Sequence, residues 1–113
     1  MAQERATLPG GTGMLLLSLL GKRDMYGYEM IEELRARSNR IFDLKAGTLY
    51  PLLHALEEQG CVTCYDQNAG EARVRRYYSL TSVGRDALTK KQAEWETYVD
   101  AVNGVLGGEC CGG

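Results

Sequence analysis

At 113 residues, 44% hydrophobic and 25% charged, the chain has room for one domain with a modest core. Its longest apolar run, Met14–Leu17 resumed at Leu19–Leu20, falls far short of the ~20 residues a membrane-spanning helix needs. No secretory pattern opens it either, so a cytoplasmic protein with no membrane partner is expected. The net charge of −2 weighs mildly against a polyanion partner, but local sign decides which surface meets one. Arg35, Arg37, Arg40 and Lys45 stand against the single carboxylate of Asp43. A second basic cluster, Arg73, Arg75 and Arg76, has Glu71 beside it. Either cluster taken alone reads equally as a solvated loop.

In chain order, residues 1–11 contain Pro9-Gly10-Gly11 and read as a flexible N-terminal segment. Residues 12–21 read as a nearly buried helix, with Thr12 as N-cap and Gly21 as stop. After the turn Lys22–Met25, a second helix runs from Tyr26 to Arg37. Met30, Ile31 and Leu34 form its inner stripe, and Glu33 and Arg37 make a surface pair. Ser38-Asn39 ends it, and Ile41–Leu44 reads as a short strand. The stretch Lys45–Gly60 then gives a third helix over 46–59. Leu49, Leu52, Leu53 and Leu56 line its inner side, while Gly47, Tyr50, His54 and Glu58 fall on or near the opposite one. Pro51 is tolerated because the residue four back, whose carbonyl it crowds, is Gly47. Gly60 stands where a C-terminal cap belongs.

Beyond Gly60 the period changes to two. Cys61–Asp66 and Val74–Leu80, joined by a polar turn, form a hairpin over 61–80. Val74, Arg76, Tyr78 and Leu80 share one side of it, and Arg75, Tyr77 and Ser79 share the other. Thr81 caps a long last helix over 82–106, ~37 Å long. Leu88, Lys91, Trp95, Tyr98, Val102 and Val105 follow a 3,4 spacing on it, broken only by Lys91. Such a stripe, with no obvious partner left in a chain this short, normally meets a second copy of itself. Residues 107–113 read as a disordered tail.

The expected fold class is therefore mainly α with a small β hairpin (α+β). Residues 12–81 make a winged helix-turn-helix domain, with recognition helix 46–59 and wing 61–80, followed by a dimerisation helix over 82–106. In that architecture the third helix enters the DNA major groove and the hairpin tip follows the backbone or minor groove.

Three blocks resemble the PadR-like transcriptional regulators: Tyr26-Gly27-Tyr28-Glu29; Gly47-Thr48-Leu49-Tyr50-Pro51-Leu52-Leu53 with Leu56-Glu57 and Gly60; and Arg76-Tyr77-Tyr78-Ser79-Leu80-Thr81-Ser82-Val83-Gly84. The likeness covers residues 12–106, and the single long last helix is similar to the short subfamily. It implies a homodimeric repressor that binds an inverted-repeat operator in double-stranded DNA and is released by a small planar aromatic or drug-like ligand. It implies DNA contacts at Lys45, Thr48, Tyr50, Arg73, Arg75 and Arg76; the helical wheel adds His54. It also implies a ligand contact at Trp95 near the two-fold axis, flanked by Leu88 and Tyr98. The chain departs from the family at Gly70-Glu71-Ala72-Arg73, where relatives often read Gly-Gly-Arg, and at Ala55, where many carry a basic residue.

Cys61 and Cys64 have C-x-x-C spacing, and Cys110-Cys111 adds two more thiols. No metal site or cofactor is expected, because the pair starts a strand rather than a knuckle turn and the vicinal pair sits among glycines. A thiol- or soft-metal-responsive regulator remains one alternative reading, and a winged-helix protein-interaction module is another. An enzyme is not expected, since the one histidine has no nucleophile to serve and no Gly-rich phosphate loop follows a strand.

Overall fold

The computed structural model describes residues 11–68, 70 and 73–107; the segment expected to be flexible, the wing-tip Glu71 and the Cys110-Cys111 pair lie outside or almost wholly outside them. The described elements follow in the order α1 (Gly11–Lys22), β1 (Met25–Tyr26), α2 (Gly27–Arg37), α3 (Ala46–Glu58), β2 (Val62–Asn68), β3 (Val74–Leu80) and α4 (Ser82–Val105). No described helix is long and apolar enough to cross a membrane. The strands form one antiparallel sheet in the order β1-β3-β2.

The helices lie within a residue or two of the sequence expectation, because their apolar stripes have a core to face. Leu16, Leu17, Leu19 and Leu20 of α1 meet Met30 and Leu34 of α2 and Leu49, Leu53 and Leu56 of α3. Met25, Cys61, Val62 and Tyr78 close the cluster from the sheet. Among the described residues no polar or charged side chain is buried, so apolar transfer dominates this core.

The short strand is not where the sequence placed it. Ile41–Leu44 is coil and Ile41 is 73% exposed. The third strand is Met25–Tyr26, which pairs Met25 with Tyr78 and Tyr26 with Tyr77. A two-residue strand has no periodicity to read; the free edge of β3 defines it. Tyr26 is thereby held extended as the N-cap of α2, and its backbone N–H donates to Glu29 Oε1 at 3.2 Å. Thr12, expected to cap α1, lies within that helix's first turn.

Both inner helices end in six-to-one caps. After α2, the N–H of Arg40 donates to the Arg35 carbonyl at 2.8 Å, with Asn39 at φ 56°. Asparagine is the usual alternative to glycine there. After α3, the Cys61 N–H donates to the Leu56 carbonyl at 2.9 Å and the Gly60 N–H to Glu57 at 3.0 Å, with Gly60 at φ 78°. Leu56 and Cys61 are both buried, as this cap favours.

The end of α3, the start of β2, the end of β3 and the start of α4 converge on Thr81. Its hydroxyl donates to the Gly60 carbonyl at 2.6 Å and accepts from the Gly84 N–H at 2.9 Å. Its own N–H donates to the Cys61 carbonyl at 3.0 Å. Gly84, the buried residue of α4, lies so close that an added Cβ would stand 2.1 Å from the Cys61 carbonyl oxygen. Backbone cannot swing aside as a side chain can. Gly84→Ala is expected to cost about 2–3 kcal/mol, at the upper end for overpacking. Urea unfolding measures this; a loss of a few tenths would mean that α4 can shift freely on β2.

Candidate nucleic-acid interface

The outward side of α3 carries no cation. Ala46, Gly47, Thr48, Tyr50, Pro51, His54 and Ala55 are all exposed. Pro51 lies inside the helix, and Gly47, four residues back, has open space where a Cβ would stand. Thr48 and His54 are exposed, a hydroxyl and an imidazole six residues apart along the helix. These are groups of the kind that read base edges, and the threonine methyl suits a thymine methyl.

Tyr50 is 40% exposed, and its hydroxyl end lies over Gly27. A Cβ on Gly27 would fall 2.2 Å from that oxygen. Two of the sequence blocks are thus parts of one contact: the glycine that opens α2 makes room for the tyrosine in the second turn of α3. This fixes where the tyrosine ring projects.

The basic approach to α3 is less free than its composition implies. Asp43 accepts from Arg35 Nη2 at 3.1 Å and stands 3.7 Å from Lys45 Nζ. The Arg35 guanidinium first, then Lys45, hold the Asp43 carboxyl below its ordinary value. Arg35 also reaches Glu32 at 3.9 Å, and Arg37 is bound to Glu33 at 2.8 Å. All these groups are exposed or half-exposed, so the pairs are weak and exchangeable. Lys45, 78% exposed and at the N-cap of α3, is the most accessible of these cations.

The sheet sorts the wing arginines. On the inner side Arg76 faces Asp66 across the strands and pairs with it at 3.3 Å. On the outer side the Arg75 guanidinium lies 4.5 Å from the centre of the Tyr26 ring. Arg73 is exposed at the tip, where its N–H donates to the Gly70 carbonyl at 2.9 Å. The partners Asp43, Asp66 and Tyr26 were not singled out in the sequence as site residues. The cross-strand partners needed a register, and Asp43 needed the coil path before α3.

The three proposed ligand residues do not form one group. The Trp95 and Tyr98 rings stack with centroids 5.8 Å apart. Beyond them Tyr98, Ala101, Val102, Val105 and Leu106 line an open apolar recess. Leu88 instead packs on the core, 3.7 Å from where a Gly21 Cβ would lie. The stripe therefore begins against the chain's own α1 and continues outward with no described partner.

The cysteines stand apart. Cys61 is buried, and the half-buried Cys64 thiol donates to Glu57 Oε2 at 3.4 Å. Burial, then the neighbouring carboxylate, raises the Cys64 thiol above its ordinary value. It therefore stays protonated and weakly nucleophilic at neutral pH. Among the described residues no three His, Cys, Asp or Glu side chains are grouped to hold a metal ion.

A model of the transcriptional regulator PadR-like family matches residues 16–90. A transcriptional regulator of Mycobacterium tuberculosis is 35% identical over 86 residues, spanning 76% of this chain and 74% of that protein. Among solved structures, a transcriptional regulator from Clostridium thermocellum superposes with a TM-score of 0.77 at 32% identity, covering 83% of this chain and 91% of that one. A PadR family transcription regulator from Clostridium difficile gives 0.71 at 35% identity, with 82% and 95% covered. The family match takes in α3, the sheet and the Thr81 junction, and it stops within α4 before Trp95.

The contact between Gly27 and Tyr50 gives a direct expectation. Gly27→Ala leaves the fold in place, because the displaced atom is the far end of a side chain, at a cost of about 1 kcal/mol. It should nevertheless weaken operator binding as much as Tyr50→Ala does, and the double variant should lose no more. Fluorescence anisotropy with upstream DNA measures this; full affinity in Gly27→Ala would show that the ring's position is immaterial.

Proposed function

The chain belongs to the PadR-like family of DNA-binding transcriptional regulators, and from that premise we propose that it is a homodimeric repressor of a promoter with an inverted repeat, released by a small planar aromatic ligand at the dimer interface. On this reading α3 enters the major groove with Lys45, Thr48, Tyr50 and His54, and the wing follows the backbone with Arg73, Arg75 and Arg76. On the same reading residues 12–81 form the DNA-binding domain and 82–106 a dimerisation helix, and the protein works in the cytoplasm.

The observation that carries the reading is the outer half of α4. Val105 is 86% exposed and Leu106 77%, continuing a stripe of stacked Trp95 and Tyr98 with Val102. An apolar helix face of this length is stable in water when a second copy covers it. Two-fold pairing along α4 sets the separation of the two α3 helices. An inverted repeat demands that they lie about one DNA turn apart, ~34 Å. A planar ligand wedged near Trp95 alters that separation and lowers DNA affinity, a coupling on the order of 1–3 kcal/mol. The indole and phenol already stack on each other, and such flat surfaces accept aromatic ligands.

The thiol-responsive alternative draws no support from Cys61 and Cys64, one buried and the other protonated beside Glu57.

Trp95 is the sole tryptophan, so its emission reports on the interface directly. Dilution through the dimer dissociation range should shift that emission to the red in step with the fall in mass by ultracentrifugation. Planar aromatics should quench it over the same concentrations that release promoter DNA. A monomer at micromolar concentration, with emission indifferent to dilution, would contradict the proposal.

A further inference from the structure

The outer face of the sheet carries a continuous row of aromatic rings that the DNA reading does not use. Tyr26 of β1, Tyr77 of β3 and Tyr65 of β2 occupy directly paired positions across all three strands. Their inner neighbours Met25, Tyr78 and Cys64 occupy the matching core-side positions, so the three rings share the opposite face. Tyr26 meets Tyr77 edge-on at 5.3 Å between centroids, and Tyr77 stacks on Tyr65 at 5.7 Å. At one end the Tyr65 hydroxyl donates to Asp24 Oδ2 at 2.6 Å. At the other end lies the Arg75 guanidinium, 4.5 Å from the Tyr26 ring centre.

Each contact in the row restrains the next. Asp24 precedes β1 and holds the hydroxyl of a residue on β2, so the row begins and ends on the α1–α2 connection and crosses the wing between. The same carboxylate raises the Tyr65 hydroxyl above its ordinary value, which keeps the proton that makes the bond. Tyr26 is also the N-cap of α2, fixed by its N–H to Glu29. The ring under Arg75 is therefore anchored to the helical body, not to the wing that carries Arg75. Arg76, one residue on, is paired with Asp66, whereas Arg75 has an aromatic face. An arginine over a ring keeps its charge and its N–H groups for an outside anion, because a π face neutralises neither.

We propose that Tyr26 is a positioning residue for DNA binding: backed by Tyr77, Tyr65 and Asp24, its ring presents the Arg75 guanidinium to a DNA phosphate at the junction of wing and α2. The inference rests on the reading of Arg75 as a DNA contact. It adds that the geometry of the contact is set by a residue that need not touch DNA. In free solution an arginine samples many rotamers, and holding it over a ring removes that loss of freedom from the binding step.

The test is a double-mutant cycle on the full chain, read by anisotropy with a labelled duplex of arbitrary sequence over a series of salt concentrations. Arg75→Ala should weaken binding and reduce the salt slope by about 1, the signature of one lost phosphate contact. Tyr26→Leu should weaken binding about threefold, the worth of an exposed cation–π contact, and leave the slope as in wild type, because Arg75 still meets its phosphate. In the Arg75→Ala background Tyr26→Leu should add nothing, while Tyr26→Phe, which keeps the ring, should bind as wild type. Additive losses would overturn the positioning role and leave Arg75 as a contact. An Arg75→Ala slope equal to wild type would overturn the DNA reading of Arg75 and this inference with it. Should Tyr26→Leu not fold, the Arg75 δ-proton resonances of the unaltered protein decide: an upfield ring-current shift is expected, and random-coil values would overturn the proposal.

Discussion

The arrangement of the whole chain depends on the hydroxyl of Thr81. One oxygen donates to the carbonyl that ends α3 and accepts from the amide that opens α4. The same residue's N–H holds the carbonyl that opens β2. Each bond alone is worth about 1 kcal/mol. Their effect is geometric: three elements meet in a volume so tight that Gly84 has no space for a Cβ. The direction in which α4 leaves the body is therefore fixed relative to α3. On the reading proposed above, a change at the far end of α4 would reach α3 by rigid rotation, with no need for a chain of altered side chains between them.

Electrostatics sets the character of the surface. The chain is net acidic, and several of its exposed cations are engaged internally, Arg35 and Lys45 with Asp43 and Arg76 with Asp66. A phosphate approaching any of these has to share or displace a carboxylate. Because the pairs are exposed, the exchange costs little, but it also yields less than binding by a bare arginine. On the DNA reading proposed above, a helix face of Thr48, Tyr50 and His54 with no lysine or arginine puts a larger share of discrimination on shape and base-edge contact than on charge.

Much of the fold was legible in the sequence. The leucine spacing of α1 and α3, Gly60 as a C-terminal cap, Thr81 as an N-cap and the alternation of β3 each follow from a local rule with a local cause. The β1 strand was not legible, because two residues carry no period and their pairing partner lies some fifty positions away. The coil at Ile41–Leu44 misled for the complementary reason: apolar residues look like a strand, but these pair with no strand of the sheet. For the candidate site, the sequence marked the cations but not what holds them. Asp24, Tyr65 and Tyr26 meet only once the sheet order is known, and Leu88 shares a helix face with Trp95 but packs on a different neighbour.

The rigid link between α4 and α3 is tested most directly by the distance between the two α3 helices of the proposed dimer. A spin label at Ala55→Cys, on the exposed side of α3, in a chain whose native cysteines are replaced, gives that distance by pulsed dipolar spectroscopy. A single narrow distribution near one DNA turn, ~34 Å, is expected without DNA, because the junction and the α4 pairing set it in advance. A broad distribution that narrows only on adding DNA would contradict it, since the helices would then be placed by the duplex and not by the protein.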